Sequence, residues 1–200
     1  MGSGSLVRAI ARRLRRRHEL AVVIPADAAL AAEVRAVQAA LRDTLGLAVD
    51  LETPPHVTLK LSFETGDAAG LEAALAALAA VEAPLELELP GAGSFPEGIV
   101  FLEVAPSPAL RALQARVLEA LAARGVPRWP LEEEGRFHFH VTLARGVPAG
   151  SLEAARALAA RGGPRTLRGE ALALLRAKDG AFAPFRSYAL GRPRSAATNR

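Results

Sequence analysis

The sequence predicts an α+β fold: a bilobal body with two mainly antiparallel sheets, outer helices and a pseudo-dyad between the lobes. Three observations carry this. Seven short segments alternate apolar with polar residues or run apolar between turn signals, as strands do. Four Ala- and Leu-rich segments between them space their apolar residues at the helical period, giving the order β-α-β-α-β-β-α-β-α-β-β. The tetrapeptide His-Val-Thr-Leu occurs twice, at 56–59 and 140–143, in the same strand phase. Two hundred residues suit a single domain of two small lobes sharing a core.

Taken in order, residues 1–17 hold six arginines and no acid, and read as a basic N-terminal arm. The folded body runs from 18 to 191. A first strand, 19–24, stops at Pro25. Asp27 then stands at the N-cap of a helix over 27–45, with Leu30, Val34, Val37 and Leu41 on one face and Gly46 closing it. Pro54 and Pro55 lead into the first histidine strand, 55–63. Gly66-Asp67 opens a packing helix over 67–81. Strands at 84–90 and 98–104 read as an antiparallel pair around the loop Gly91–Pro96. Ser107-Pro108 starts a helix to about 124. An irregular stretch, 128–135, precedes the second histidine strand, 136–145. A helix over 151–161 is broken by Gly162-Gly163-Pro164. Strands 166–176 and 181–190 close the body through a Lys178-Asp179-Gly180 hairpin. Residues 192–200 form a basic tail.

Composition excludes several classes. No cysteine occurs, which removes disulfides, thiolate nucleophiles and cysteine metal sites. No apolar run approaches the roughly 20 residues of a membrane span, and no signal-peptide pattern follows the basic start. The expected address is cytoplasmic, the expected state monomeric, and no cofactor is expected. Net charge is +4, but nine arginines lie in the two ends, leaving the body at −5. General attraction to RNA therefore belongs to the ends, as weak, salt-dependent contact.

The two histidine strands carry the chemistry. In each, a His and the Thr two residues on share the polar face: His56 with Thr58, His140 with Thr142. If the strands face each other across a groove, two imidazoles and two hydroxyls meet. One imidazole can act as base while the other acts as acid. The hydroxyls can donate to an anionic oxygen without changing charge. Such a set suits attack on a phosphodiester without a metal or a covalent enzyme intermediate.

These residues resemble the two-histidine (2H) phosphoesterase superfamily, and within it the 2′-5′ RNA ligase / RNA 2′,3′-cyclic phosphodiesterase family. His56-Val57-Thr58-Leu59-Lys60 is similar to the family's His-x-Thr-Leu strand. His140-Val141-Thr142-Leu143-Ala144-Arg145 matches the His-x-Thr-Leu-Ala/Gly-Arg form. The Gly93-Ser94-Phe95-Pro96 hairpin and the closing Tyr188-Ala189-Leu190 strand fit as well, so the resemblance spans about 19–190. Lys60-Leu61-Ser62-Phe63 departs from the Phe-Leu-Gly ending common in the best-studied branch and looks more like a divergent bacterial branch. The resemblance implies a bilobal fold with the active site in the cleft between lobes. It implies opening of RNA 2′,3′-cyclic phosphates to 2′-phosphates, with reversible 2′-5′ joining in several members. His56 and His140 would be the catalytic pair and Thr58 and Thr142 the phosphate holders. Substrates would be RNA ends or cyclic nucleotides.

Further candidates for substrate binding surround this set. Lys60 is in phase with Thr58. Arg145 is out of phase with Thr142 unless the strand ends or bulges there; the resemblance favours it as a nucleotide contact. His138 shares a face with His140. Phe185, Tyr188 and Trp129 offer rings for stacking on a base. Two rival classes remain. A metal-dependent hydrolase would use His138, His140 and a carboxylate from Glu132-Glu133-Glu134. A non-catalytic RNA- or nucleotide-binding module would use the same cleft without turnover.

Overall fold

The structure, a computed structural model, describes residues 18–132 and 135–191. The two Arg-rich ends, and the RNA contact expected of them, lie outside the described residues.

Among the described residues, four α-helices form where capping and periodicity place them. Helix α1, Ala28–Leu45, starts where Asp27 Oδ1 accepts the Leu30 N–H at 2.8 Å. It ends at Gly46, whose left-handed φ of 64° lets its N–H reach the Arg42 and Leu41 carbonyls. Asp67 caps α2, Ala68–Val81, and Ser107 caps α3, Pro108–Ala122. Helix α4 is Leu152–Ala160.

The strands are β1 (His18–Pro25), β2 (His56–Thr65), β3 (Leu85–Leu89), β4 (Ala92–Phe95), β5 (Ile99–Glu103), β6 (His140–Ala144), β7 (Arg165–Gly169), β8 (Ala171–Lys178) and β9 (Ala181–Ala189). Every pairing is antiparallel. One sheet has the order β2-β1-β8-β9, a second β4-β5-β6, and β3 pairs with β7 alone. The connectivity β1-α1-β2-α2-β3-β4 is followed by β5-α3-β6-α4-β7-β8, and β9 closes the chain. Each half ends by adding a strand to the other half's sheet, β4 to β5 and β8 to β1. Leu87 faces Leu167 at the centre of the β3–β7 pair.

The helices cover one face of each large sheet, and a single apolar cluster runs through both halves. Val22, Ile24, Val57 and Leu59 enter it from one sheet, and Val100, Leu102, Val141 and Leu143 from the other. Each such side chain contributes about 1.5–3 kcal/mol when fully buried. That drive fixes which face of β2 and β6 turns inward, so their His and Thr side chains must point away from the helices.

The sequence reading needs three corrections. The 166–176 segment is two strands, because the chain turns at Glu170 and leaves the β3 pair for the β1 sheet. The Gly91–Pro96 loop contains β4. Gly93 there makes room for the Phe101 ring, which a Cβ would meet at 2.5 Å, and is not a turn glycine. Finally, 84–90 and 98–104 do not form a ladder with each other: β3 pairs with β7, and β5 with β4 and β6. Two bonds, Ala105 N–H to Glu88 O and Glu103 N–H to Gly91 O, link only their ends. Among the described residues, no helix is long and apolar enough to cross a membrane.

Candidate active site

The two histidine strands lie in matching registers against their neighbours. His56 faces Pro25, Thr58 faces Val23 and Lys60 faces Val22. His140 faces Glu103, Thr142 faces Phe101 and Ala144 faces Val100. In both ladders the register slips directly after the threonine, so Leu59 and Leu143 have no residue opposite. Bulges of this kind re-aim the side chains that follow. Lys60 accordingly leaves the His/Thr face. In the second strand, β6 ends at Ala144, and Arg145 turns back with Nη2 3.5 Å from Thr142 Oγ1.

Both strands flank one cavity of about 660 Å³, lined by His56, Thr58, Thr142, Arg145, Phe182 and Gln38 among others. His140 lies one pleat from Thr142 on the same face. Each imidazole is anchored by the carbonyl two residues before it: His56 Nδ1 to Pro54 O at 2.7 Å, His140 Nδ1 to His138 O at 2.8 Å. A carbonyl only accepts, so Nδ1 carries the proton and Nε2 is left with its lone pair. The sequence sets both rings in one tautomer by one device.

Burial holds both imidazoles in the neutral form. It pushes His140 down to about 4, and the charges of His138, Arg145 and His56 act in the same direction. The rings of Phe95 and Phe101, centred 5.3 and 5.1 Å from it, supply the apolar wall. His56 is also lowered, first by burial and then by the Arg145 charge, against the bond to Pro54. Arg145 thus acts on both rings, and His56 on His140, although His140 itself is not among the residues that line the cavity. A bound phosphate would reverse the sign of this field and draw protons back.

The pH dependence follows. Ordinary imidazole values would put the limbs of a rate profile around pH 6 to 8. With both rings lowered, kcat/KM, which reports the free enzyme, should peak below pH 6.5 and fall as pH rises, while kcat lies further toward neutrality. A profile from pH 4 to 9 checks this; a kcat/KM optimum at 7–8 would contradict the burial argument. Stability has the matching sign: the unfolded chain binds protons more tightly, so stability present above pH 6.5 is lost as pH falls toward 4.

The other candidates fall in different places. Lys60 is buried at 1% exposure and does not line the cavity; its Nζ donates to both Glu132 oxygens at 3.0 and 2.9 Å. Burial lowers its pKa and Glu132 opposes that shift. Glu132 is therefore committed to Lys60 and to the N–H groups of Leu61 and Trp129. His138 is exposed, its ring 6.1 Å from His140, and its carbonyl is what orients His140. Among the described residues, no group of three or more His, Asp or Glu stands together as a ligand set. Trp129 packs beside Lys60, its Nε1 donating to Ser62 O.

Phe185 and Tyr188 pack toward the helix-covered core rather than the cavity. The β8–β9 ladder slips at Phe185, beside Pro184, and its ring lies between the guanidinium groups of Arg176 and Arg186 at 4.5 and 4.6 Å. The Tyr188 hydroxyl is buried without a hydrogen-bond partner among the described residues, and burial raises its pKa. The aromatic residue in the cavity wall is Phe182, which sequence reasoning missed. Its N–H donates to Thr53 Oγ1 at 3.1 Å, tying the hairpin to the loop before β2. Phe182 and Phe185, three residues apart, alternate to opposite faces; the slip at Phe185 then puts Tyr188 on the core face with Phe185. The sequence reading also missed Phe95, within the Gly91–Pro96 loop, Phe101, within the 98–104 strand, and Gln38, within the 27–45 helix.

Comparison with known proteins agrees with this architecture. The family model of the 2′-5′ RNA ligase superfamily matches residues 24–181. No curated protein matches the sequence. Among solved structures, E. coli LigT in its apo form is similar at 21% identity and a TM-score of 0.65, covering 88% of this chain and 99% of that one. LigT has also been solved with 3′-AMP and with phosphate. TT0787 of Thermus thermophilus is similar at 22% identity and a TM-score of 0.61, covering 88% of this chain and all of that one. The MHV ns2 PDE domain follows at 17% identity and 0.53, covering 81% and 100%. At these identities the structures testify to the fold alone. The family match takes in both His-x-Thr strands and well over half of the sequence, and on that ground the chain belongs to the 2′-5′ RNA ligase superfamily.

Proposed function

We propose that this protein is a phosphodiesterase that opens RNA 2′,3′-cyclic phosphate ends to 2′-phosphates by metal-independent acid–base catalysis. The observation that carries the reading is the pair of His-x-Thr strands in matching register on one cavity. Membership of the superfamily supports phosphodiester chemistry in general, and the LigT complexes with phosphate and 3′-AMP support a ligand of this class. In the reaction, the Nε2 of one imidazole takes a proton from water as its oxygen attacks phosphorus. The other imidazole, protonated, gives its proton to O3′ as the P–O3′ bond breaks. Thr58 and Thr142 donate to the non-bridging oxygens, and Arg145 offsets the charge that grows on them. With a 5′-hydroxyl in place of water the same step forms a 2′-5′ linkage, so joining and opening share one site. Phe182 offers a face to a base at the cavity wall. The Arg-rich ends would add salt-dependent attraction to longer RNA.

The test is a panel of 2′,3′-cyclic nucleotides and cyclic-phosphate-ended oligonucleotides, assayed in EDTA with the product phosphate located. The expected result is turnover unaffected by EDTA, yielding 2′-phosphates. Loss of activity in EDTA would favour a metal hydrolase, and binding without turnover an RNA-binding module; either would overturn the reading.

A further inference from the structure

The chain contains two glutamines, Gln38 and Gln114, and each sits in the same pentapeptide pattern: Arg35-Ala36-Val37-Gln38-Ala39 and Arg111-Ala112-Leu113-Gln114-Ala115. Each lies on the helix after the first strand of its half, α1 or α3. Both are buried, at 4% and 6% exposure, where an amide is retained only if it is hydrogen-bonded. Their partners correspond. Gln38 Nε2 donates to the Leu143 carbonyl at 3.1 Å, and Gln114 Nε2 to the Leu59 carbonyl at 3.2 Å. These are the two leucines that the register slips leave without a facing residue, each directly after the motif threonine. A bulge leaves the extra residue unpaired, and a buried carbonyl there needs another donor. Each glutamine supplies it to the strand of the opposite half: α1 reaches β6, and α3 reaches β2.

We infer that Gln38 and Gln114 are equivalent positioning residues, reciprocal struts that hold the two bulges and thereby set Thr142 and Thr58, with their histidines, across the cavity. The inference rests on the proposed reading of the His-x-Thr pairs for its kinetic part and on geometry alone for its structural part. Gln38 carries a second connection. Its Oε1 accepts from Arg35 Nη1 at 2.8 Å and its Nε2 also donates to Asp50 O at 3.2 Å, so the loop before β2 is tied to the same amide. One residue of α1 thus touches β6 directly and the approach to β2 through the 50–53 loop.

The experiment uses Gln38→Met and Gln114→Met, which keep volume and remove the donor. Hydrogen exchange, which needs no substrate, should show faster exchange over 141–145 in Gln38→Met and over 57–61 in Gln114→Met, each leaving the other strand near wild type. Kinetically, each variant should lose about 10- to 100-fold in kcat, the scale of a small misplacement of catalytic groups, with KM changed less than about threefold. The Gln38→Met loss should shrink in a Thr142→Ala background and persist in Thr58→Ala; Gln114→Met should show the reverse. If the Met variants melt below the assay temperature, Gln38→Glu and Gln114→Glu, which keep shape and lose the amide donor, replace them. Unchanged exchange at the strands, or equal acceleration of both strands by either variant, would overturn the inference. Absence of cyclic-phosphate turnover in the unaltered protein would instead defeat the proposed function and leave the exchange result standing.

Discussion

His56→Ala and His140→Ala should each lower cyclic-phosphate turnover by about 10²–10⁴-fold, the range that positioned acid–base catalysis contributes per group. The argument is geometric. Each ring has its Nδ1 committed to the carbonyl two residues before it, so truncation removes one Nε2 and releases a local hydrogen bond. The fold should therefore persist, and thermal melts at pH 7 should lie close to the unaltered protein. Because both rings resist protonation when buried, the variants should be less acid-sensitive than the parent between pH 4 and 6.5. Near-normal turnover in either variant would remove the histidine pair from the mechanism. A large drop in melting temperature at pH 7 would mean that the rings serve the fold first.

Glu132→Ala is expected to be the most damaging substitution to stability, by about 3–5 kcal/mol, as is usual when one partner of a buried ion pair is removed. The Glu132 carboxylate accepts from Lys60, from the Leu61 N–H at 2.7 Å and from the Trp129 N–H at 2.8 Å. Its loss strands a buried ammonium and two main-chain donors together. Lys60→Met should cost less, because the carboxylate keeps both N–H partners and Met fills the space between Phe63 and Trp129. Chemical denaturation of both variants measures the difference. Equal costs would show that the ammonium pair, and not the carboxylate's anchoring of the 128–132 loop to β2, dominates.

Much of this molecule is legible in the sequence. Capping residues, glycines and proline pairs gave the helices to within a residue or two, because those signals act over one or two turns of chain. The alternation at 137–143 correctly gave the buried side, although only His140–Ala144 enters a ladder. Errors concentrated where one residue's neighbours come from elsewhere. Lys60 and Arg145 are the clearest pair: phase alone put the first beside Thr58 and the second out of line, and two equivalent bulges reversed both. Tyr188 is a third case: phase alone gives it the face of Phe182, and the slip at Phe185 turns it toward the core.

The sequence by itself determined that two strands each present a histidine and a threonine on a face opposed to apolar residues, since side-chain alternation is a property of the single strand. Tertiary structure alone decided which residues join them at the cavity. The two glutamine contacts to the histidine strands depend on partners 105 and 55 residues away in sequence, and no local pattern encodes a contact whose other half is that distant.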